Sequence, residues 1–213
     1  MSGGRRLEGG AIQHFLAHIQ LCMTILMRSD GPIRTLRANV SHEEALRFFT
    51  GGVRGLAANL SRGRARGVAE LYIPYRLFRV EIRNGGREEG RVYALDSVAG
   101  VLDLFEFSQL PGDDEVVTVA TRNALPCRLT AERAREMVVD KVRRVVFSRG
   151  FMRLRDLQIE ATAMGELYFP YWVCFRGGED DAKVEVMDAV RQRAEGGKVR
   201  GLVEEWLREG ERG

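Results

Sequence analysis

Glu70-Leu71-Tyr72-Ile73-Pro74-Tyr75 returns later in the chain as Glu166-Leu167-Tyr168-Phe169-Pro170-Tyr171. Five of the six positions are identical. Matches of this quality are rare by chance in 213 residues, so the chain reads as an internal duplication. Proline lacks an amide donor, which confines it within a strand to an edge or a bulge. A bulge at each proline would invert the inside-outside alternation and let both flanking tyrosines touch apolar surface.

The parts around each hexamer follow one order. Upstream of the first, Ser41-His42-Glu43-Glu44 has the form of a capping box and predicts a helix whose apolar face is Leu46, Phe49, Val53 and Leu56. The basic stretch Ser61–Gly67 then reads as a flexible connection to a strand over 68–82. Asn84-Gly85-Gly86 is a turn signal. A strand over 91–98 with Val92, Ala94 and Val98 on one face ends at Asp96-Ser97-Val98, and another strand follows over 101–107. A short strand is expected at 116–120.

Upstream of the second hexamer, Thr130 reads as an N-cap, with Glu132 where the helix dipole favours a carboxylate. Ala134, Met137, Val138, Val142 and Val145 continue a helical face. The strand over 157–175 is expected to break at Gly165 and Pro170. Gly177–Asp181 is a turn, and a strand over 183–190 carries Asp188-Ala189-Val190. Val199, Leu202, Val203, Trp206 and Leu207 step by three and four and predict a C-terminal helix.

The fold expected from this order is α+β, with two tandem helix-on-antiparallel-sheet repeats, an extra N-terminal helix and a C-terminal helix. The divisions are 1–40 for the N-terminal tail and amphipathic helix, 41–120 for the first repeat, and 121–213 for the second repeat with its terminal helix. Arg79–Ile82, Asn84-Gly85-Gly86 and Arg91–Leu102, with the aspartate, small residue and glycine that close a strand, resemble the PepSY domain. The arrangement is also similar to a cystatin-like helix on a sheet. The resemblance covers roughly 40–107 and, less closely, 129–200, where Gln192 replaces the turn glycine. It implies a binding or regulatory module with no catalytic residues to carry over.

Composition sets the class. Apolar residues make up 45% and charged residues 30%, an ordinary globular balance that excludes wholesale disorder. No stretch reaches the roughly 18 to 20 apolar residues of a membrane span. The formal charge is +3, and 30 of the 33 basic residues are arginine, since only Lys141, Lys183 and Lys198 are lysine. Cys22, Cys127 and Cys174 have neither disulfide nor zinc spacing and fit free thiols in a reducing compartment. Arg5 and Arg6 precede an apolar stretch, but His14, His18 and Gln20 interrupt it and no small-residue cleavage site follows, so the expected location is cytoplasmic.

Chemical motifs are sparse. His14 and His18 have a metal-compatible spacing without an evident third ligand, and no metal or cofactor is expected. No nucleophile elbow or phosphate-cradling loop occurs. Asp113-Asp114 and Asp180-Asp181 read as solvated turns. The residues set aside for a ligand or partner are Tyr72, Tyr75, Tyr168, Tyr171 and Trp172, as packing residues or as the walls of a groove between two halves. The function expected is a non-catalytic protein- or peptide-binding or scaffolding module. The competing class is a nucleic-acid binder using Arg62, Arg64 and Arg66, with a second basic run at Arg143, Arg144, Arg149, Arg153 and Arg155. An enzyme of unstated mechanism stands third. The apolar face Ile12, Phe15, Leu16, Ile19, Met23 and Leu26 predicts a homodimer through residues 11–27.

Overall fold

The computed structural model describes residues 31–148, 156–178 and 183–210, apart from the side chain of Arg54. The expected N-terminal helix, the dimer contact at 11–27, the His14/His18 pair, Cys22, Asp180-Asp181 and Arg149, Arg153 and Arg155 lie outside the described residues. Four helices and eight strands are described. They are β1 (Pro32–Leu36), α1 (His42–Thr50), α2 (Gly52–Arg62), β2 (Ala65–Asn84), β3 (Arg87–Asp96), β4 (Phe105–Phe107), β5 (Val116–Ala120), α3 (Ala131–Ser148), β6 (Gln158–Arg176), β7 (Lys183–Asp188), β8 (Arg193–Ala194) and α4 (Gly197–Gly210). The protein is α+β, and no helix among the described residues is long and apolar enough to cross a membrane.

One mixed sheet carries the fold, in the order β4-β3-β2-β6-β1-β5, with β7 and β8 added beyond β6. Its spine is the antiparallel pairing of β2 with β6. The two hexamers pair with each other there, Ile73 lying opposite Phe169 and Pro74 opposite Tyr168. The register runs unbroken through both prolines, so the expected bulges at Pro74 and Pro170 do not occur. The irregularities lie between Ala65 and Gly67 and between Leu77 and Phe78. The reason is the position of each proline. The Pro74 carbonyl turns away from β6 and accepts from Ser97 N at 2.8 Å, and the Pro170 carbonyl turns away from β2 and accepts from Ala189 N at 3.1 Å. Because a strand residue aims its N and its carbonyl at the same edge, each missing amide faces away from the spine ladder.

Side-chain alternation sorts the core. On one face, Leu71, Ile73, Tyr75, Leu167, Phe169, Tyr171 and Val173 pack with Val199, Leu202 and Val203 of α4. The other face takes two helices. Ala134, Val138, Val142 and Val146 of α3 cover Phe78, Val80, Tyr93 and Leu95 of the β2–β3 hairpin. Ala45 and Phe49 of α1 cover Trp172, Cys174 and Met187 of the β6–β7 hairpin. Both helices also reach across the β2–β6 spine, α3 meeting Ile159 and Ala161 of β6 and α1 meeting the start of β2 at Ala65 and Val68.

A buried ion pair fixes α1 and α2 to their strands. The Arg176 side chain is fully buried and gives Nε to Glu185 at 3.0 Å and Nη1 to Asn59 at 3.0 Å, while Nη2 donates to the Phe49 carbonyl. Phe49 offers one of the carbonyls that a helix end leaves unpaired. Removing one member of such a pair costs about 3–5 kcal/mol, because the other stays buried uncompensated.

The ends of β3 and β7 turn alike. Asp96 Oδ1 accepts from Ala99 N and Gly100 N, and Asp188 Oδ1 accepts from Val190 N and Arg191 N. Four residues after each aspartate the backbone is left-handed, with φ of 68° at Gly100 and 57° at Gln192.

Several local expectations change. The helix begun at Ser41 stops at Gly51, whose N–H bonds Arg47 O at 2.8 Å, and a separate helix follows. Its Val53 and Leu56 are 84% and 66% exposed instead of buried. The connection expected at 61–67 is absorbed, since α2 runs to Arg62 and β2 starts at Ala65. Asp96 ties down the turn after it through Leu102 N, so only Phe105–Phe107 of the expected 101–107 strand forms. No break occurs at Pro170. β1 was not anticipated: Pro32–Leu36 lies inside the span read as a tail and helix, yet it sits between β6 and β5.

Candidate functional site

Period-2 alternation divides the five aromatic residues singled out in the sequence. Tyr75 and Tyr171 fall on the α4 face and meet there, with their hydroxyls 2.9 Å apart and both side chains buried. Tyr75 also stacks on Phe169 at 4.1 Å between centroids. Tyr72, Tyr168 and Trp172 lie on the opposite face. Tyr72 gives its hydroxyl to Glu70 at 3.0 Å, and Trp172 gives Nε1 to Val40 O at 3.0 Å with its ring edge-on to His42. Tyr168 is half-buried beside the Tyr72 cluster. The structure thus pairs Tyr75 with Tyr171 on one face, gathers Tyr72 and Tyr168 into one cluster on the other, and ties Trp172 to α1 and its approach.

The paired hydroxyls line a cavity of about 280 Å³. Tyr75, Leu102 and Asp103 come from the earlier part of the chain, and Tyr171, Arg191, Arg193, Glu195 and the start of α4 from the later part. The Asp188 turn projects Arg191 over the Phe105 ring, 3.7 Å from its centroid, with Nε 3.9 Å from Asp188. Arg193 bonds Glu195 at 3.4 Å, and Lys198 bonds Asp103 at 2.6 Å. Glu195-Gly196-Gly197-Lys198 leads into α4, so the first turn of that helix forms part of the wall. Its amides carry the positive end of the helix dipole.

Burial dominates the electrostatics. It pushes the Tyr75 and Tyr171 hydroxyls well above the ordinary tyrosine value, so both stay protonated. Two hydroxyls that bond each other use one proton between them, and the second has no acceptor among the described residues. Burial also raises Glu195, against the opposing pull of Arg193. Lys198 holds Asp103 below the usual carboxylate range. Asp103, Arg191, Arg193, Glu195 and Lys198 were missed in the sequence. The available signal was the pair of glycines ahead of a lysine at a helix start.

The basic run is divided as well. Arg62 pairs with the buried Glu185 at 2.5 Å. Arg64 and Arg66 are exposed, and Arg66 has a partner of its own. Cys127 is exposed beside Glu166 and Arg76, and Cys174 is buried. Burial raises both thiols, Cys174 to about 11. Among the described residues there is no group of three or more histidine, cysteine, aspartate or glutamate side chains able to hold a metal.

No protein-family model, no curated protein and no solved structure matches the chain.

Proposed function

We propose that this chain is a duplicated, non-catalytic binding module, and that the cavity beneath Tyr75 and Tyr171 receives the carboxylate end of a peptide. The observation that carries this reading is the 2.9 Å hydroxyl pair, one tyrosine from each hexamer, set in a cavity lined by both parts of the chain. The spare hydroxyl proton, the first turn of α4 and the cations Arg191, Arg193 and Lys198 offer donors to an anionic group. A volume of about 280 Å³ suits a chain end better than a whole cofactor.

The duplication is supported by the paired hexamers, by the matching aspartate turns and by the shared left-handed position at Gly100 and Gln192. In this reading the two tandem repeats, 41–120 and 121–213, share one sheet, with a helix of each laid across both central strands. The PepSY-like and cystatin-like character belongs to the same proposal and rests on the same turns. A cytoplasmic location and a homodimer through residues 11–27 are also proposals. The engagement of Arg62 by Glu185 favours peptide binding over the nucleic-acid reading.

The test is a titration of the protein, followed by NMR of the tyrosine rings, with a pool of N-acetylated tetrapeptides bearing free C-termini and a matched amidated pool. The free-acid pool should shift Tyr75 and Tyr171. Tyr171→Phe should weaken binding about tenfold, the value of one hydrogen bond. Equal binding of the amidated pool, or no response at these two rings, would refute the reading.

A further inference from the structure

The strongest unused feature is the outer edge of β6. Its inner edge pairs with β2 as far back as Gln158, whereas β1 meets its outer edge only at Tyr168. The direction of the backbone groups follows from β2. Tyr72 N bonds Asn123 O and the Pro74 carbonyl accepts from Ser97 N, so even-numbered residues of β2 point away from β6. Arg79 and Glu81 therefore bond Thr162 and Glu160. Ile159, Ala161 and Ala163 are left with their N–H and C=O groups turned outward and unpaired among the described residues.

An open edge of this kind templates another strand, and native edges are commonly blunted by lysine or proline. Gln158-Ile159-Glu160-Ala161-Thr162-Ala163 carries neither. Beside it lies a groove of about 610 Å³ against α3, with Arg135, Glu136, Val139 and Asp140 on the helix side. We infer that this edge pairs antiparallel with the same edge of a second copy of the chain, about a twofold axis at Ala161.

The sequence is self-complementary in that register. Ala161 meets the partner's Ala161, and Ile159 meets the partner's Ala163. Glu160 meets the partner's Thr162, so no like charges lie directly opposite, an arrangement that would oppose pairing. The small side chains on the α3 face allow the two copies of α3 to approach, and the groove rim offers both signs of charge, Arg135 against Glu136 and Asp140. The surface is separate from the tyrosine cavity, and its test does not depend on that site.

The experiment is sedimentation equilibrium on the full chain. Wild type should contain a two-chain species. Ala161→Arg and Ala161→Glu each place like charges across the axis and should each weaken the dimer at least tenfold, while an equimolar mixture of the two restores it. Recovery in the mixture also shows that both variants fold. Ala163→Pro, at an exposed position whose amide serves no bond among the described residues, should separate the copies independently. A monomeric wild type, or a dimer untouched by all three substitutions, would overturn the inference.

Discussion

Glu195 shows how a single side chain reports on the cavity. Burial raises its carboxyl, so the folded state holds that proton more tightly than the unfolded state does. The resulting stabilisation is complete below the unfolded value and is lost as pH rises through the folded value. As the pH rises past the ordinary glutamate range, folding therefore works against the ionised carboxylate. Glu195→Gln keeps an oxygen for Arg193 and removes the charge. Its melting temperature should exceed that of wild type at pH 7, and the margin should close as the pH falls into the ordinary glutamate range. Differential scanning calorimetry across that interval checks both the sign and the closure. The residue could not be picked out of the sequence, because its neighbours are assembled from separate parts of the chain. Tyr75 and Tyr171 could, because the repeat marked them. The partition of Tyr72, Tyr168 and Trp172 onto the other face needed the strand register, which the expected bulges would have inverted.

Elements were legible where local chemistry decides them. The capping box at Ser41 and Glu44 forms as the spacing requires, and α3 and α4 follow their apolar periods. Elements set by distant partners were not legible. Pro32–Leu36 reads as tail until β5 and β6 flank it, and the stretch after Asp96 reads as strand until the carboxylate ties its amides down. The prolines separate the two kinds of information. Each sits where the spine needs no donor, so Pro170→Ala should lower stability by only about 0.4–1 kcal/mol, chiefly by freeing the unfolded chain. Ile73→Pro, one residue from Pro74 but with its amide turned toward β6, loses a ladder bond in a central strand and should cost on the order of 3 kcal/mol. Urea unfolding of the two variants gives the comparison, and equal losses would contradict the assigned edges.

At the scale of the whole molecule, the two central strands and the helices laid across them decide how the parts are held. Because α1 and α3 each pack on residues of both β2 and β6, neither part of the chain contains the core of a separate domain. The Arg176 pair and the β2–β6 spine add to this, joining residues far apart in sequence. The cavity inherits that dependence, since its two tyrosines stay together only while both parts are assembled. Leu110–Glu115 is a largely exposed loop near the end of the first part, ahead of β5, and accepts a protease site without touching either core. The most direct measurement is to cut the purified protein there and follow it by light scattering and thermal unfolding under native conditions. Interlocked parts predict that the nicked chains remain one particle with a single cooperative transition. Two fragments that separate, each with its own transition, would contradict the account.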